Sequence, residues 1–320
     1  MSNIVNKIKR KIDEGTLLDS IKIKIHSRLY INLDSNYENT IFLAGTGRSG
    51  TTWVSNIINY DNSYRYIFEP FHSYFVDVCK DFKYRQYLRP ENNDEKYLEP
   101  ARKILSGKIR NKWVDRFNKK FLCKKRLVKD IRANLMLKWI KTQFPEIKII
   151  LLLRHPGAVA NSRIKLNWED HLDVLLSQEE LMEDFLNPFK KDILHAQTTF
   201  EKNIFLWCIE NYVPLKQFSK DEILVTFYEK YAVSPEEEID KLFQFLGKNY
   251  DQSIYRVLKK PSPEVRKESA LISGGSIIDK WKENITKEQL ERAIDILSLF
   301  ELDSIYSADS MPNVDSVKFR

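Results

Sequence analysis

Cysteine is scarce in this chain and scattered. Cys79, Cys123 and Cys208 are the only three in 320 residues. Their spacing offers neither a disulfide framework nor a zinc-ligand pattern, which points to a reducing compartment. No apolar run reaches the roughly 18–20 residues that a membrane span needs. The start, Met1 to Arg10, lacks the apolar core of a secretion signal. These absences make a cytoplasmic location the expectation. There is no internal repeat and no low-complexity linker. What remains is 42% hydrophobic and 30% charged, with a net charge of +7, the composition of a soluble globular protein with a sizeable core.

The run from Ile41 to Trp53 reads as an apolar strand, a glycine-bearing turn and a helix start. That order aims backbone N–H groups and a helix N-terminus at one point, a cradle for a phosphate-like anion. The spacing Gly45-x-x-x-x-Gly50 is that of nucleotide-hydrolysing phosphate loops, but Thr51 stands where those loops need Lys. A triphosphate would lose its main cationic partner, and the cation sits instead at Arg48, inside the turn. The loop therefore reads as a cradle for an anion other than ATP or GTP. A glycine turn without a ligand is the plainer alternative.

A second run has the same build. Ile149 to Leu153 is continuously apolar, as in a parallel strand buried on both faces. Arg154 follows at the strand's C-terminal end, where ligands gather in open α/β sheets. Pro156 suits a first helical turn, and Ser162 lies two turns further on, facing the same cleft.

Arg48-Ser49-Gly50-Thr51-Thr52-Trp53 resembles the 5′-phosphosulfate loop of sulfotransferases that use 3′-phosphoadenosine 5′-phosphosulfate (PAPS). That loop typically reads Lys or Arg, Ser, Gly, Thr, Thr, aromatic. Arg154 and Ser162 have the spacing of the Arg and Ser that bind the 3′-phosphate in this family. His155 departs from the pattern, which usually has Asp. Ile223 to Glu229 resembles the family's late strand ending in Tyr-Glu, and the resemblance spans roughly residues 40 to 285. It implies an α/β fold: a phosphate-loop-type parallel sheet flanked by helices, with helical insertions. It implies that Gly47, Arg48, Ser49, Gly50, Thr51, Thr52 and Trp53 hold the phosphosulfate. Arg154 and Ser162 would select the 3′-phosphate, and the product would be 3′-phosphoadenosine 5′-phosphate (PAP). Arg48 would stabilise charge on the leaving phosphate, with no metal required.

The strand Tyr64–Phe68 runs into Glu69-Pro70-Phe71-His72, which resembles the Phe-Glu-Pro segment of carbohydrate sulfotransferases. Glu69 is the expected catalytic base and His72 the second choice. The structural alternative is an ion pair between Glu69 and a basic neighbour. Lys129 and Arg132 flank another strand end and would steer the acceptor or the sulfonyl group. Gly274, Gly275, Ser276, Trp281 and Lys282, with Arg266 and Lys267, stand where related enzymes close a loop over the 3′-phosphate. The acceptor implied is a hydroxyl on a glycan or glycolipid, not a nucleic acid. A phosphate-loop kinase and a non-catalytic anion- or nucleic-acid-binding protein are the competing classes.

The expected division is a basic N-terminal segment at 1–39, a catalytic domain at 40–305 and a C-terminal tail at 306–320. The N-terminal segment could touch an anionic membrane surface, though packing as a terminal helix is the simpler expectation. Strands are predicted at 40–44, 64–69, 126–131, 147–153 and 222–228, with helices at 51–60, 133–143, 156–165 and 235–246. For the last helix, Ser234 is the expected N-cap, Glu237 would complete a capping box, and Gly247 would close the C-terminus. Residues 70–125 and 166–220 are expected as mostly helical insertions that build the acceptor site. Within them, residues 101–129 carry twelve Lys or Arg and one acid, Asp115. The run suits an anionic acceptor or an anionic membrane surface, or else a solvated helical face, with nucleic acid as a third reading.

Overall fold

The apolar runs become the middle of a sheet because their side chains are buried on both faces. The structure is a computed structural model in which residues 30–258 and 278–313 are described. Its strands are β1 (Ile31–Asn32), β2 (Thr40–Gly45), β3 (Tyr64–Phe68), β4 (Leu122–Cys123), β5 (Lys125–Asp130), β6 (Lys148–Leu153) and β7 (Leu224–Phe227). Five of them form one sheet in the order β3-β5-β2-β6-β7, every pairing parallel. β1 and β4 pair as a separate short ribbon.

Parallel neighbours need crossovers, and helices supply them. The crossover helices include α1 (Thr51–Ile58), α2 (Glu95–Leu105), α3 (Leu137–Gln143), α4 (Pro156–Ile164) and α5 (Thr199–Gln217); α6 (Pro235–Leu246) and α7 (Lys287–Leu299) follow the last strand. Alternate side chains of the strands feed two cores. Phe42, Ala44, Val128 and Leu151 pack on one side with α5 and α7. Ile41, Leu43, Leu127, Ile150 and Leu152 pack on the other with α1 and α6. Leu302, Ile305 and Tyr306, beyond α7, are also buried.

Helix α6 buries the expected face, Ile239, Leu242, Phe243 and Leu246, and Gly247 closes it at φ 62°. The expected capping box does not form. Ser234 makes no side-chain cap bond, and its backbone N–H ends the preceding turn on the Lys230 carbonyl at 2.8 Å, which leaves no N-cap donor for Glu237. Glu237 pairs instead with Lys241 at 2.6 Å. Residues 166–220 are largely helical, but 70–125 have one long helix, α2. Elsewhere that insertion is pinned by single side chains, among them Phe71, Val76, Phe82 and Leu88, sunk into the core.

The basic run at 101–129 is not one face. Arg126 and Lys129 are buried, whereas Lys108, Lys112, Lys119, Lys124 and Lys125 are exposed. Its one acid has a structural task. Asp115 Oδ1 accepts from Arg65 Nε at 3.1 Å and Nη2 at 2.7 Å, and both side chains are fully buried. Arg65 also donates to the carbonyls of Gly107 and Ile109 and lies 3.9 Å from the Tyr30 ring centre. Asp115→Ala leaves that guanidinium buried without its counter-ion and should cost about 3–5 kcal/mol in urea unfolding. A loss below about 1 kcal/mol would show the pair to be dispensable.

Candidate active site

Every strand of the main sheet ends on the same side, and β2 has its neighbours β5 and β6 on either hand. That crevice is where open α/β sheets place ligands. After β2 the chain reverses through Arg48 at φ 80° and Gly50 at φ 95°. A Cβ on Gly50 would lie 2.4 Å from the Tyr228 ring, and one on Gly47 would lie 2.7 Å from Trp168. The loop is therefore braced from both sides by aromatic rings. Thr46 Oγ1 and Ser49 Oγ are buried without a hydrogen-bond partner among the described residues. Helix α1 starts on Gly50 with no side-chain cap. Orphaned hydroxyls beside an uncapped helix N-terminus suit an anionic group. Thr51 is buried and Thr52 half-buried. Trp53 is buried with its ring 5.3 Å from that of Tyr228, so it packs beneath the loop.

The segment after β6 comes to this loop. Arg48 Nε donates to Ser162 Oγ at 3.0 Å, and Arg154 Nη1 donates to the Arg48 carbonyl at 3.1 Å. Arg154 also lies 4.1 Å from the Tyr228 ring centre. Arg163, which the motif reading passed over, donates from Nε to the Gly47 carbonyl at 3.1 Å. Its Nη2 donates to Glu210 at 2.9 Å, and Arg85 Nε meets the other oxygen of Glu210 at 2.5 Å. All three side chains are buried. The available signal was Arg163's place four residues after Val159, on the core face of α4.

His155 caps the start of α4. Its Nδ1 accepts the Gly157 N–H at 3.1 Å, which assigns the ring hydrogen to Nε2 and lets it donate to the Ser307 carbonyl at 2.9 Å. The ring stacks on Trp281 at 4.2 Å. Burial pushes His155 down to about 4, so it is neutral. Lys282 is 3.6 Å from Asp279. Residues 1–29, Arg266, Lys267, Gly274, Gly275 and Ser276 lie outside the described residues.

Glu69 ends β3 in a left-handed backbone conformation, φ 42°, with its N–H on the Lys129 carbonyl at 2.7 Å. Its carboxylate is buried. Oε1 accepts from Lys129 Nζ at 2.6 Å and Oε2 from Arg132 Nη1 at 2.5 Å. Burial pushes the Glu69 carboxyl up, but the two cations and their hydrogen bonds outweigh it and hold it below the usual range. The expected steering residues thus meet the expected base directly. Asp130, between them, was missed. It accepts the Phe71 N–H at 3.0 Å and the Arg132 N–H at 2.7 Å, stapling the two loops together. Burial pushes Asp130 up to about 6. Burial, then the charge of Arg132, pushes His72 down to about 4. Its Nδ1 is buried without a partner among the described residues.

A model of the sulfotransferase domain matches residues 38–298. The chain belongs to the sulfotransferase family. It is a PAPS-dependent enzyme of that family, which sets aside the kinase and the non-catalytic readings. Comparison with curated proteins finds no match. Among solved structures, the sulfotransferase domain of the Synechococcus olefin synthase is 16% identical, with 86% of this chain and 98% of that one covered and a TM-score of 0.47. The sulfotransferase domain from the curacin biosynthetic pathway is 15% identical, over 85% of this chain and 99% of that one, with a TM-score of 0.47. A mouse sulfotransferase complexed with PAP is 15% identical, over 86% and 87%, with a TM-score of 0.42. Among the sulfotransferase's described residues, no helix is long and apolar enough to cross a membrane, and no group of three or more His, Cys, Asp or Glu is placed to hold a metal.

The neutral, buried His155 makes stability depend on pH. A His pushed down on folding stabilises fully above its unfolded pKa near 6.5 and loses that contribution as pH falls toward about 4. His155→Asn keeps a capping oxygen for the Gly157 N–H but does not titrate. Between pH 7 and pH 5 the wild type should lose about 2 kcal/mol more than this variant in denaturant titrations. Equal losses would mean that His155 does not hold a neutral ring in the fold.

Proposed function

We propose that this sulfotransferase moves the sulfonyl group of PAPS to a carbohydrate hydroxyl, with Glu69 as base and Arg48 at the leaving group. The observation that carries the reading is the junction at Arg48. Its side chain reaches Ser162 and its carbonyl holds Arg154, so the two anion-binding segments meet at one residue. In the proposal residues 47–53 hold the phosphosulfate, and Arg154 and Ser162 take the 3′-phosphate. The acceptor oxygen attacks sulfur and an S–O bond forms. The bond from sulfur to the 5′-phosphate oxygen breaks, PAP departs, and the acceptor proton passes to the base. Arg48 and the N-terminus of α1 offset the charge that grows on the leaving oxygen.

Lys129 and Arg132 keep Glu69 ionised at neutral pH, as a base requires. Each carboxylate oxygen still has a lone pair beyond its cation, because a carboxylate offers about four acceptor sites. His72 supports a second reading: it is neutral and its Nδ1 has no partner among the described residues. The Phe68-Glu69-Pro70 resemblance supports a carbohydrate acceptor, and the buried, unbridged cysteines support a cytoplasmic location.

Arg154→Ala should weaken PAP binding by a few kcal/mol in calorimetry and AMP binding by less, because PAP loses a charge-assisted phosphate contact as well as the hold on the Arg48 carbonyl. Wild-type protein that bound PAP and AMP equally would exclude the assigned 3′-phosphate site.

Glu69→Gln should lower turnover about 100-fold or more with PAP affinity nearly constant, the scale of a positioned base. His72→Ala should do less harm. Turnover lost in His72→Ala and kept in Glu69→Gln would transfer the role to His72.

A further inference from the structure

We propose that Tyr74 and Phe75 form a subsite for a second sugar ring, so that the acceptor is an oligosaccharide and not a free monosaccharide. This rests on the reading of the acceptor as a carbohydrate that reacts beside Glu69.

Tyr74 is 76% exposed and Phe75 50% exposed. Single exposed rings are ordinary on a protein surface, but these belong to one continuous aromatic wall. Phe75 stacks on Trp113, with ring centres 4.3 Å apart and planes at 26°. His72 lies 4.4 Å from Phe75 and 5.2 Å from Trp113. Tyr74 lies 6.4 Å from Tyr84, which in turn lies 4.6 Å from His171. The wall is tied to the proposed reaction centre at two points. Trp113 Nε1 donates to the Glu69 carbonyl at 3.3 Å. Arg132, which donates to the Glu69 carboxylate, lies 5.1 Å from the Tyr84 ring centre.

The exposed rings are held in place. The Phe75 N–H donates to the His72 carbonyl at 3.1 Å, and Asn111 Nδ2 donates to the Phe75 carbonyl at 3.0 Å. One face of Phe75 is taken by Trp113, and half its surface remains in solvent. Such preorganised rings bind with little loss of conformational freedom.

The chemistry of the wall selects the occupant. A sugar ring has an apolar C–H face and a rim of hydroxyls. Here ring faces alternate with guanidinium donors, Arg116 at 3.9 Å from the Trp113 ring centre and Arg132 at Tyr84. A phenol or steroid gains most from an enclosed apolar pocket, and exposed rings such as Tyr74 and Phe75 enclose little of it. Phe75 stands one ring beyond Trp113, and Trp113 touches Glu69. The platform therefore lies beside the reacting sugar, where a neighbouring residue of a glycan would rest.

The test uses full-length, PAP-saturated protein with chitotetraose, cellotetraose and a hyaluronan tetrasaccharide, each against its own monosaccharide. Binding is read by calorimetry and by saturation-transfer NMR, with 1-naphthol as the apolar competitor. At least one tetrasaccharide should bind about tenfold or more tighter than its monosaccharide, the scale of one or two aromatic contacts. Tyr74→Ala/Phe75→Ala should remove that preference and leave PAP affinity within error, with a small drop in melting temperature because Phe75 gives up its stack on Trp113. A preference that survives the double substitution overturns the subsite alone, whereas saccharides that all fail to bind while PAP binds, or 1-naphthol binding tighter than every saccharide, overturn the carbohydrate reading and the subsite with it. Failure of PAP itself to bind would instead overturn the donor site on which the proposal stands.

Discussion

Two consecutive carbonyls of the phosphate loop are held by arginines from a distant part of the chain. Arg163 takes the carbonyl of Gly47 and Arg154 that of Arg48. Because the peptide unit is planar, turning the Gly47 carbonyl toward Arg163 turns the N–H of Arg48 the opposite way. The loop's shape thus depends on charges buried beneath it. Arg163 is fully buried, and such a charge is tolerable only when paired. Glu210 on α5 supplies the pair and is held from its other side by Arg85. Residues 47, 85, 163 and 210, spread over half the sequence, form one unit. The aromatic braces Trp168 and Tyr228 complete it, and they explain why positions 47 and 50 have no room for a side chain.

The cluster around the proposed base, Glu69, solves a different electrostatic problem. A base must be ionised, yet the cations that keep it so also weaken its basicity. Glu69 lies toward the ionised extreme, with one cation on each oxygen. Asp130 sets the geometry in which this happens, since its two oxygens join the backbone after Glu69 to the backbone of Arg132. His72, neutral and close to the same charges, is the complementary case of a base that is free but less protected from burial.

His155 shows how a departure from a family pattern is absorbed. One ring nitrogen performs the cap that a carboxylate would supply, and the other reaches Ser307 near the end of the described chain. The same ring stacks on Trp281, which also covers Gly157. The departure ties the start of α4 to the C-terminal segment.

Much of this was legible in the sequence because it is local. Strand–turn–helix order, apolar runs, the Pro235 start and the Gly247 end of α6 follow from backbone and side-chain preferences over a few residues. So does the placing of Glu69 and Arg154 at strand ends, since motif position and strand period together fix which residue follows the last strand residue. Local rules failed where one atom serves two elements, as in Ser234, whose N–H was already committed to the preceding turn. They also failed where the partner is remote. The pairing of Asp115 with Arg65, the pairing of Arg163 with Glu210, the bond from Phe71 to Asp130 and the contact of Tyr84 with His171 join residues 47 to 87 positions apart in the chain. Buried charges choose partners by proximity in three dimensions, and the sheet order that brings β3, β5 and β6 around β2 decides that proximity. The sequence by itself determined the fold class and the phosphate loop. The tertiary structure alone decided which cation meets which carboxylate, because desolvation leaves such groups no option but each other.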